Sequence, residues 1–500
     1  MLPVEATRDS GAVSSPTPSP RPSQLSPIRG RALRERAARV VRSDAPPTWF
    51  VARRGVVDGV DQAHARAVID LALRVGEAML STGASASDVV ATVLRLTDTY
   101  GLGSSCHVDV TYTSISISYH RGENADPMTV LRIVKVRSAD FTRLESLQTL
   151  VRDIVAGDLD VSAARTRLDE ISGAPHPYRR WLVTLSLAVM GGAVGAFLGG
   201  GVLAMLLSAA TTALVDRVQR RLARRGLAAF FTQAVGAAIP TVVAVALLAL
   251  GAGSRSLAAA LSPSLVVATG IVVLLAGLSV VGAAQDAIDG YYVTAGARGF
   301  EVLMLTFGIV VGVAGVLALA RRLGVPLEIS AEAHLAPNLL VQVIAAMAVA
   351  GAFAISAYAG GRAALVAMAT AALGWGVFIG AVSVGFGMPV ASGIAAVAIG
   401  AVAQVVSTRL RVPSLAVTTA GIAPLLPGLS VYRGLFEMLG RSSGTGPSAG
   451  VSTLLLAAGI GLGLAAGVSF GTFVARPLRT ELDRGERRAL RRSAGETARE

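Results

Sequence analysis

Two carboxylates stand nearly alone in a long apolar stretch, and each follows the same four residues. Asp286 lies beyond Gly277-Leu-Ser-Val280, and Glu437 beyond Gly428-Leu-Ser-Val431. The match extends backwards, from Gly270-Ile-Val-Val-Leu-Leu-Ala to Gly421-Ile-Ala-Pro-Leu-Leu-Pro, each preceded by Pro-Ser-Leu at 263–265 and 413–415. A carboxyl in or beside hydrocarbon is costly and is kept mostly where it serves a function, such as carrying a proton or an ion. A glycine that interrupts an apolar helix frees backbone groups for a solute, and duplicated units of this kind build many carriers. The competing readings are close helix packing for Gly-Leu-Ser, with the serine bonded to its own backbone, and an interfacial helix end for each acid.

Between Trp181 and Arg476 there are seven acids, Asp216, Asp286, Asp289, Glu301, Glu328, Glu332 and Glu437, whereas all five histidines fall outside the apolar segments. Carboxylates are therefore the candidates for any proton transfer, with Asp286 and Glu437 first. Glu301, three residues after Arg298, is either a second site or half of a local salt bridge, and the salt bridge is the simpler reading. Gln285, Gln233, Gln342 and Gln404 could bind a solute or bond helix to helix. Gly191-xxx-Gly195-xxx-Gly199, Gly308-xxx-Gly312 and Gly459-xxx-Gly463-xxx-Gly467 read as faces of close helix approach.

The elements that must position these groups are set by composition. With 53% hydrophobic and 15% charged residues and 55 glycines, the chain has a membrane profile. Residues 1–60 are Ser/Pro/Arg-rich without an apolar signal core and read as a disordered, uncleaved tail. The net charge of +13 comes without interleaved aromatics, which suits basic cytoplasmic flanks of a membrane protein and argues against nucleic acid as a partner. The single cysteine, Cys106, excludes an intrachain disulfide and a CxxC metal site, and the single lysine, Lys135, excludes a phosphate loop for ATP-driven pumping. No cofactor or metal is expected.

Residues 61–172 read as a soluble α+β domain. Apolar residues from Ala67 to Leu80 have helical spacing and end at Ser81-Thr-Gly83. Ser85-Ala-Ser-Asp88 has the form of a capping box before a helix over 89–100. Cys106 to His120, whose alternation slips phase near Ile115, and Met128 to Val136 read as two strands joined by a turn over Gly122–Pro127. Helices over 138–156 and 161–171 follow. A hydrolase reading, with Ser114 or Ser116 as nucleophile and His107 or His120 as base, lacks any Gly-x-Ser-x-Gly elbow. The domain could alternatively sense an amino acid or a partner and gate the membrane half.

Ten apolar segments follow, including 201–215, 263–284, 300–320 and 413–436, each about 20 residues for a hydrocarbon layer of about 30 Å. If the α+β domain is cytoplasmic, arginines at 217–225, at 409 and 411, and in the basic tail 476–500 place these loops and both termini there too, and they outnumber Arg255, Arg321, Arg322 and Arg441 on the far side. Splitting ten helices at residues 328–337 leaves five in 181–325 and five in 336–475. An odd number per half inverts the second copy, with Asp286 facing the cytoplasm and Glu437 the exterior. The fold expected is thus a polytopic α-helical membrane protein, two inverted five-helix repeats preceded by a small α+β cytoplasmic domain. Assembly into homo-oligomers stays open.

Ser81-Thr-Gly-Ala-Ser-Ala-Ser-Asp88, a strand with Thr111-Tyr-Thr-Ser-Ile-Ser116, the ten helices, and Leu275-Ala-Gly-Leu-Ser-Val-Val-Gly-Ala-Ala-Gln-Asp-Ala-Ile-Asp-Gly290 with Thr294-Ala-Gly-Ala-Arg-Gly-Phe-Glu301 together resemble the bacterial threonine/serine exporters. Many members have Pro-Gly where this chain has Ala276-Gly277, while the second copy keeps Pro427-Gly428; the first break is expected to be softer. The resemblance implies efflux of L-threonine and L-serine across the plasma membrane, driven by the proton gradient. For such a zwitterionic amino acid, Gly277 and Gly428 would open backbone groups to its carboxylate and ammonium, Ser279 and Ser430 would offer hydroxyls and Gln285 an amide. Asp286, Glu437 and, secondarily, Glu301 would carry protons.

Overall fold

The computed structural model describes residues 61–120, 126–134, 139–251, 263–274, 277–325, 335–410, 412–439 and 447–497, all within the unit Arg54–Glu500. The 1–60 tail, most of the Gly122 turn, Ala276 and the split at 328–334 lie outside the described residues.

Helix α1, Gln62–Ser81, buries Val68, Ile69, Leu71, Ala72, Val75 and Met79 along one face. It stops where Gly83 takes φ 103°, a left-handed conformation open to glycine. Helix α2, Ala86–Thr99, is capped by Ser85, whose hydroxyl accepts from Asp88 N–H at 3.2 Å. Strands β1 (Cys106–Val110), β2 (Ser114–Tyr119) and β3 (Met128–Ile133) form an antiparallel sheet in the order β1-β2-β3. The expected single strand over 106–120 is therefore two. The phase slip is a tight turn that pairs Val110 with Ile115, closed by a 2.9 Å bond from Thr111 N–H to Ser114 C=O and a 2.8 Å contact between the two hydroxyls. The turn lets Ile115 and Ile117 face the core with Leu144 and Leu147. Helix α3, Phe141–Ala156, is capped by Asp140, and α4, Val161–Gly173, by Asp160.

The apolar part holds α5 (Arg180–Phe197), α6 (Val202–Arg224), α7 (Ala229–Gly251), α8 (Pro263–Leu274), α9 (Gly277–Ile288), α10 (Tyr292–Arg322), α11 (Leu339–Ser356), α12 (Gly361–Ser383), α13 (Met388–Leu410), α14 (Ser414–Ile422), α15 (Gly428–Leu439) and α16 (Pro447–Thr497). Among the described residues nine spans are long and apolar enough to cross a membrane, α8 and α9 counting as one, or ten if the bent pair Ser414–Leu425 and Gly428–Gly434 is one span. Three helices run two turns or more beyond the expected apolar limits: α6 to Arg224, α10 from Tyr292 and α16 to Thr497. Hydropathy marks where a segment leaves hydrocarbon, whereas backbone hydrogen bonding continues the helix into the polar zone.

Helix packing follows one scheme in residues 180–322 and in residues 339–475. The first helix packs on the second (α5 on α6, α11 on α12), the second on the third, and the third on the fifth (α7 on α10, α13 on α16). The broken fourth rests its leading part, α8 or α14, on the first three, and its trailing part, α9 or α15, on the fifth. Glycines allow the third–fifth contacts. A methyl on Gly312 would stand 2.1 Å from Ala234 O, and one on Gly467 2.3 Å from Gly393 O. The packing reading of the glycine motifs fits this geometry.

The α1–α4 elements sit at one end of the bundle. Phe141 N–H donates to Ala357 O at 3.0 Å, Thr142 N–H to Tyr358 O at 3.2 Å, and Tyr178 OH to Ala359 O at 2.8 Å. Chain direction then places residues 224–229, 286–292 and 412–414 at this same end.

Candidate functional site

The first copy lies on α9, whose last turn carries Asp286. This side chain is fully buried, with Oδ2 3.0 Å from Arg298 Nη1 on α10. Its other oxygen accepts a long bond, 3.4 Å, from the N–H of Ala86, the first residue of α2. Asp289 accepts from Ser87 Oγ at 2.7 Å. The Arg298 guanidinium lies 6.0 Å from the centre of the Tyr112 ring, and the Tyr112 hydroxyl donates to Glu301.

The expected ion pair between Arg298 and Glu301 is therefore replaced. Neighbouring positions on a helix make such a pair available, but removing the partner of a buried carboxylate leaves a charge that costs several kcal/mol. Asp286 claims the guanidinium, and Glu301 is met by the Tyr112 hydroxyl. Sequence spacing could not expose this, because the partners come from three separate elements. Only the rarity of the acids marked the region.

The second copy is visibly broken. Helix α14 ends at Ile422, Ala423–Leu425 form a single 3-10 turn, and α15 leaves at 43°. Pro424 and Pro427 lack N–H groups and cannot continue the ladder; Gly428 N–H turns to Leu426 O at 2.8 Å, and Val431 N–H resumes helical bonding to Pro427 O at 2.9 Å. A methyl on buried Gly428 would stand 3.0 Å from Val272 Cγ1 of α8, so the break of the second copy rests on the first. Ser430 occupies the first turn of α15. At its other end Glu437 accepts from Thr453 Oγ1 of α16 at 2.7 Å.

The first copy runs as helix to Leu274 and again from Gly277, and the two pieces count as one span. Gln233 Nε2 donates to Leu274 O at 2.6 Å, and Gln219 holds the other end of that amide at 3.1 Å. Gln342 accepts from Trp375 Nε1 at 3.0 Å and donates to Ala336 O at 2.6 Å. Both amides bond helix to helix. Ser279 and Gln285 are half-buried on α9, whose Val280 meets Gly461 of α16. The structure thus brings Gly428 against the first copy and separates Asp286 from Glu437 by the length of the bundle. Ser114 is engaged by the Thr111 hydroxyl, and the His107 and His120 rings meet edge to face at 5.4 Å. Among the described residues no group of three or more His, Cys, Asp or Glu could hold a metal.

A family model described as "Putative threonine/serine exporter" matches residues 70–320, and one described as "Threonine/Serine exporter, ThrE" matches residues 339–470. A "Probable threonine/serine exporter" of Mycobacterium tuberculosis is 38% identical over 456 residues, 90% of this chain and 84% of that protein. A "Threonine/serine exporter" of Corynebacterium glutamicum is 36% identical over 465 residues, 90% of each chain. No solved structure matches. The first model ends in the last turn of α10 and the second begins at the first residue of α11. Two matched halves of apolar helices and full-length relatives of this kind leave one assignment: the chain belongs to the threonine/serine exporter family, multi-pass membrane transporters rather than enzymes.

Proposed function

We propose that this protein exports L-threonine and L-serine across the bacterial plasma membrane, driven by the proton gradient, by alternating access between two inverted five-helix halves with both termini in the cytoplasm. The observation that carries the reading is the broken helix of the second copy resting on the first copy through Gly428 and Val272, with one acid at each end of the bundle. The shared packing scheme of the two halves, each with an odd number of crossings, supports inversion. An inverted pair can present one central site to either side in turn.

In this reading the amino-acid carboxylate meets the N-terminal turn of α15 at Gly428 and Ser430, where N–H groups point outward and the helix dipole favours an anion. Its ammonium meets carbonyls at the break and near Gly277, and Ser279 and Gln285 line the first-copy side. Asp286 and Glu437 exchange protons with the two compartments, and Glu301 lies beside Asp286 as a second acid.

The test uses vesicles that contain the purified protein and labelled threonine. A pH gradient should drive threonine flux, and flux that ignores the gradient in both orientations overturns proton coupling. Asp286→Asn and Glu437→Gln should each cut gradient-driven flux by roughly tenfold or more, the factor produced by losing about 1.4 kcal/mol of interaction. Wild-type flux in both variants would retire the two acids.

A further inference from the structure

The α1–α4 domain touches both halves of the bundle, and the two contacts differ in kind. Towards the second half its core does not stop at the domain boundary. The buried cluster containing Ile115, Leu144 and Leu147 runs on through Ala354, Ala357, Ala359, Ala363 and Val417. Tyr358 seals this junction. It is the one non-glycine with positive φ (57°) among the described residues, its ring stacks on His176 at 4.4 Å, its hydroxyl accepts from Arg180 at 2.6 Å, and its carbonyl accepts from Thr142. A strained backbone persists only where its surroundings over-determine it.

Towards the first half the contact is mainly polar. It consists of Ala86 N–H on Asp286, Ser87 on Asp289, Thr294 Oγ1 on Val110 O at 3.1 Å, and Tyr112 on Glu301. Among the described residues of the first half only Tyr291, partly buried at the start of α10, packs against the domain's apolar cluster, whereas the second half contributes Ala354, Ala357, Ala359, Ala363 and Val417 to its buried part. Apolar burial holds pieces together as a core does, whereas separated hydrogen-bonded groups can exchange protein partners for water at little net cost.

We infer that the domain is a latch: it rides with the second half as one body and closes its own end of the transporter by docking on Ser87–Asp289 and Ala86–Asp286, so that opening at this end requires it to leave the first half. This rests on the alternating-access reading proposed above. If the halves rock, a domain bonded to both blocks motion at its end. The weaker of its two attachments is the one that must yield.

Ser87→Cys with Asp289→Cys places two thiols where the side chains now meet at 2.7 Å. In the reduced protein, threonine flux should persist. Oxidation with diamide should lower it at least tenfold, and dithiothreitol should restore it. Full cross-linking with unchanged flux overturns the latch while leaving transport intact. Absence of flux from the wild-type protein overturns the transport reading instead. Should the double variant be silent before oxidation, single variants decide the matter. The thiol of Ser87→Cys should react faster with a maleimide during threonine turnover than at rest, while that of Thr142→Cys, at the second-half junction, should not change. Equal rates at both positions, or a faster Thr142→Cys alone, overturn the latch.

Discussion

Asp286 shows how a single residue can be found without its surroundings being read. A fully buried acid in an apolar chain stands out by rarity, but its claim on Arg298 and its contact with Ala86 depend on pairs of elements far apart in sequence. Glycines show the reverse, since their role is decided by what a methyl would strike. Gly312→Ala places Cβ against Ala234 O, whereas at Gly315 nothing lies within 4 Å. The first should lower stability in detergent by about 1–3 kcal/mol, the usual cost of overpacking, and Gly315→Ala should melt like the wild type. Equal melting of the two would refute the close α7–α10 contact. Cys106 adds a chemical prediction. Burial pushes its thiol up from 9.0 to about 11, leaving roughly a hundredfold less thiolate at a given pH. Iodoacetamide at pH 8 should leave the folded protein unlabelled and label it after denaturation.

Among the elements, α4 carries a pH prediction through its cap. Asp160 caps α4, accepting from Ala163 N–H at 2.8 Å and Ser162 Oγ at 2.8 Å, and these bonds hold its carboxyl below the ordinary 3.8. A carboxyl depressed in the folded state stabilises it above the unfolded value and loses that contribution as pH falls through the folded one. Amide exchange in α4, corrected for intrinsic rates, should therefore be unchanged between pH 7 and 5 and accelerate below 3.8, and Asp160→Asn should flatten the response. The cap of α2 was legible at Ser85 because a capping box is a local pattern. The hairpin of β1 and β2 was not, since a slipped alternation marks a turn as readily as an irregular strand. Element ends at Tyr292, Arg224 and Thr497 escaped for another reason: hydropathy locates lipid, not helix.

At the scale of the molecule, the ten crossings of the proposed reading make a concrete labelling pattern. Arg225 follows α6 at the domain end, while Val202 and Phe386 lie exposed at the other. With Cys106 silent, Arg225→Cys should react with a charged maleimide only from the cytoplasmic side, and Val202→Cys and Phe386→Cys only from outside. Reaction of Arg225→Cys and Val202→Cys from one side would break the alternation of crossings. A bundle of nine to ten apolar helices was readable from a count of apolar runs. The attachment of the domain was not, because alanines at 354–367 look like ordinary lipid-spanning sequence until α3 is laid over them.

That attachment also orders the birth of the protein. The domain is made first, yet the residues that complete its core, from Ala354 to Val417, emerge about 180 residues later, a wait of roughly 10–40 s at ribosomal speeds of about 5–20 residues per second. Throughout that interval five helices enter the bilayer while the face of α3 that will meet Ala357 stays uncovered. The nascent chain therefore carries a sticky, half-finished surface beside the translocon, and only the second half of the message supplies its lid.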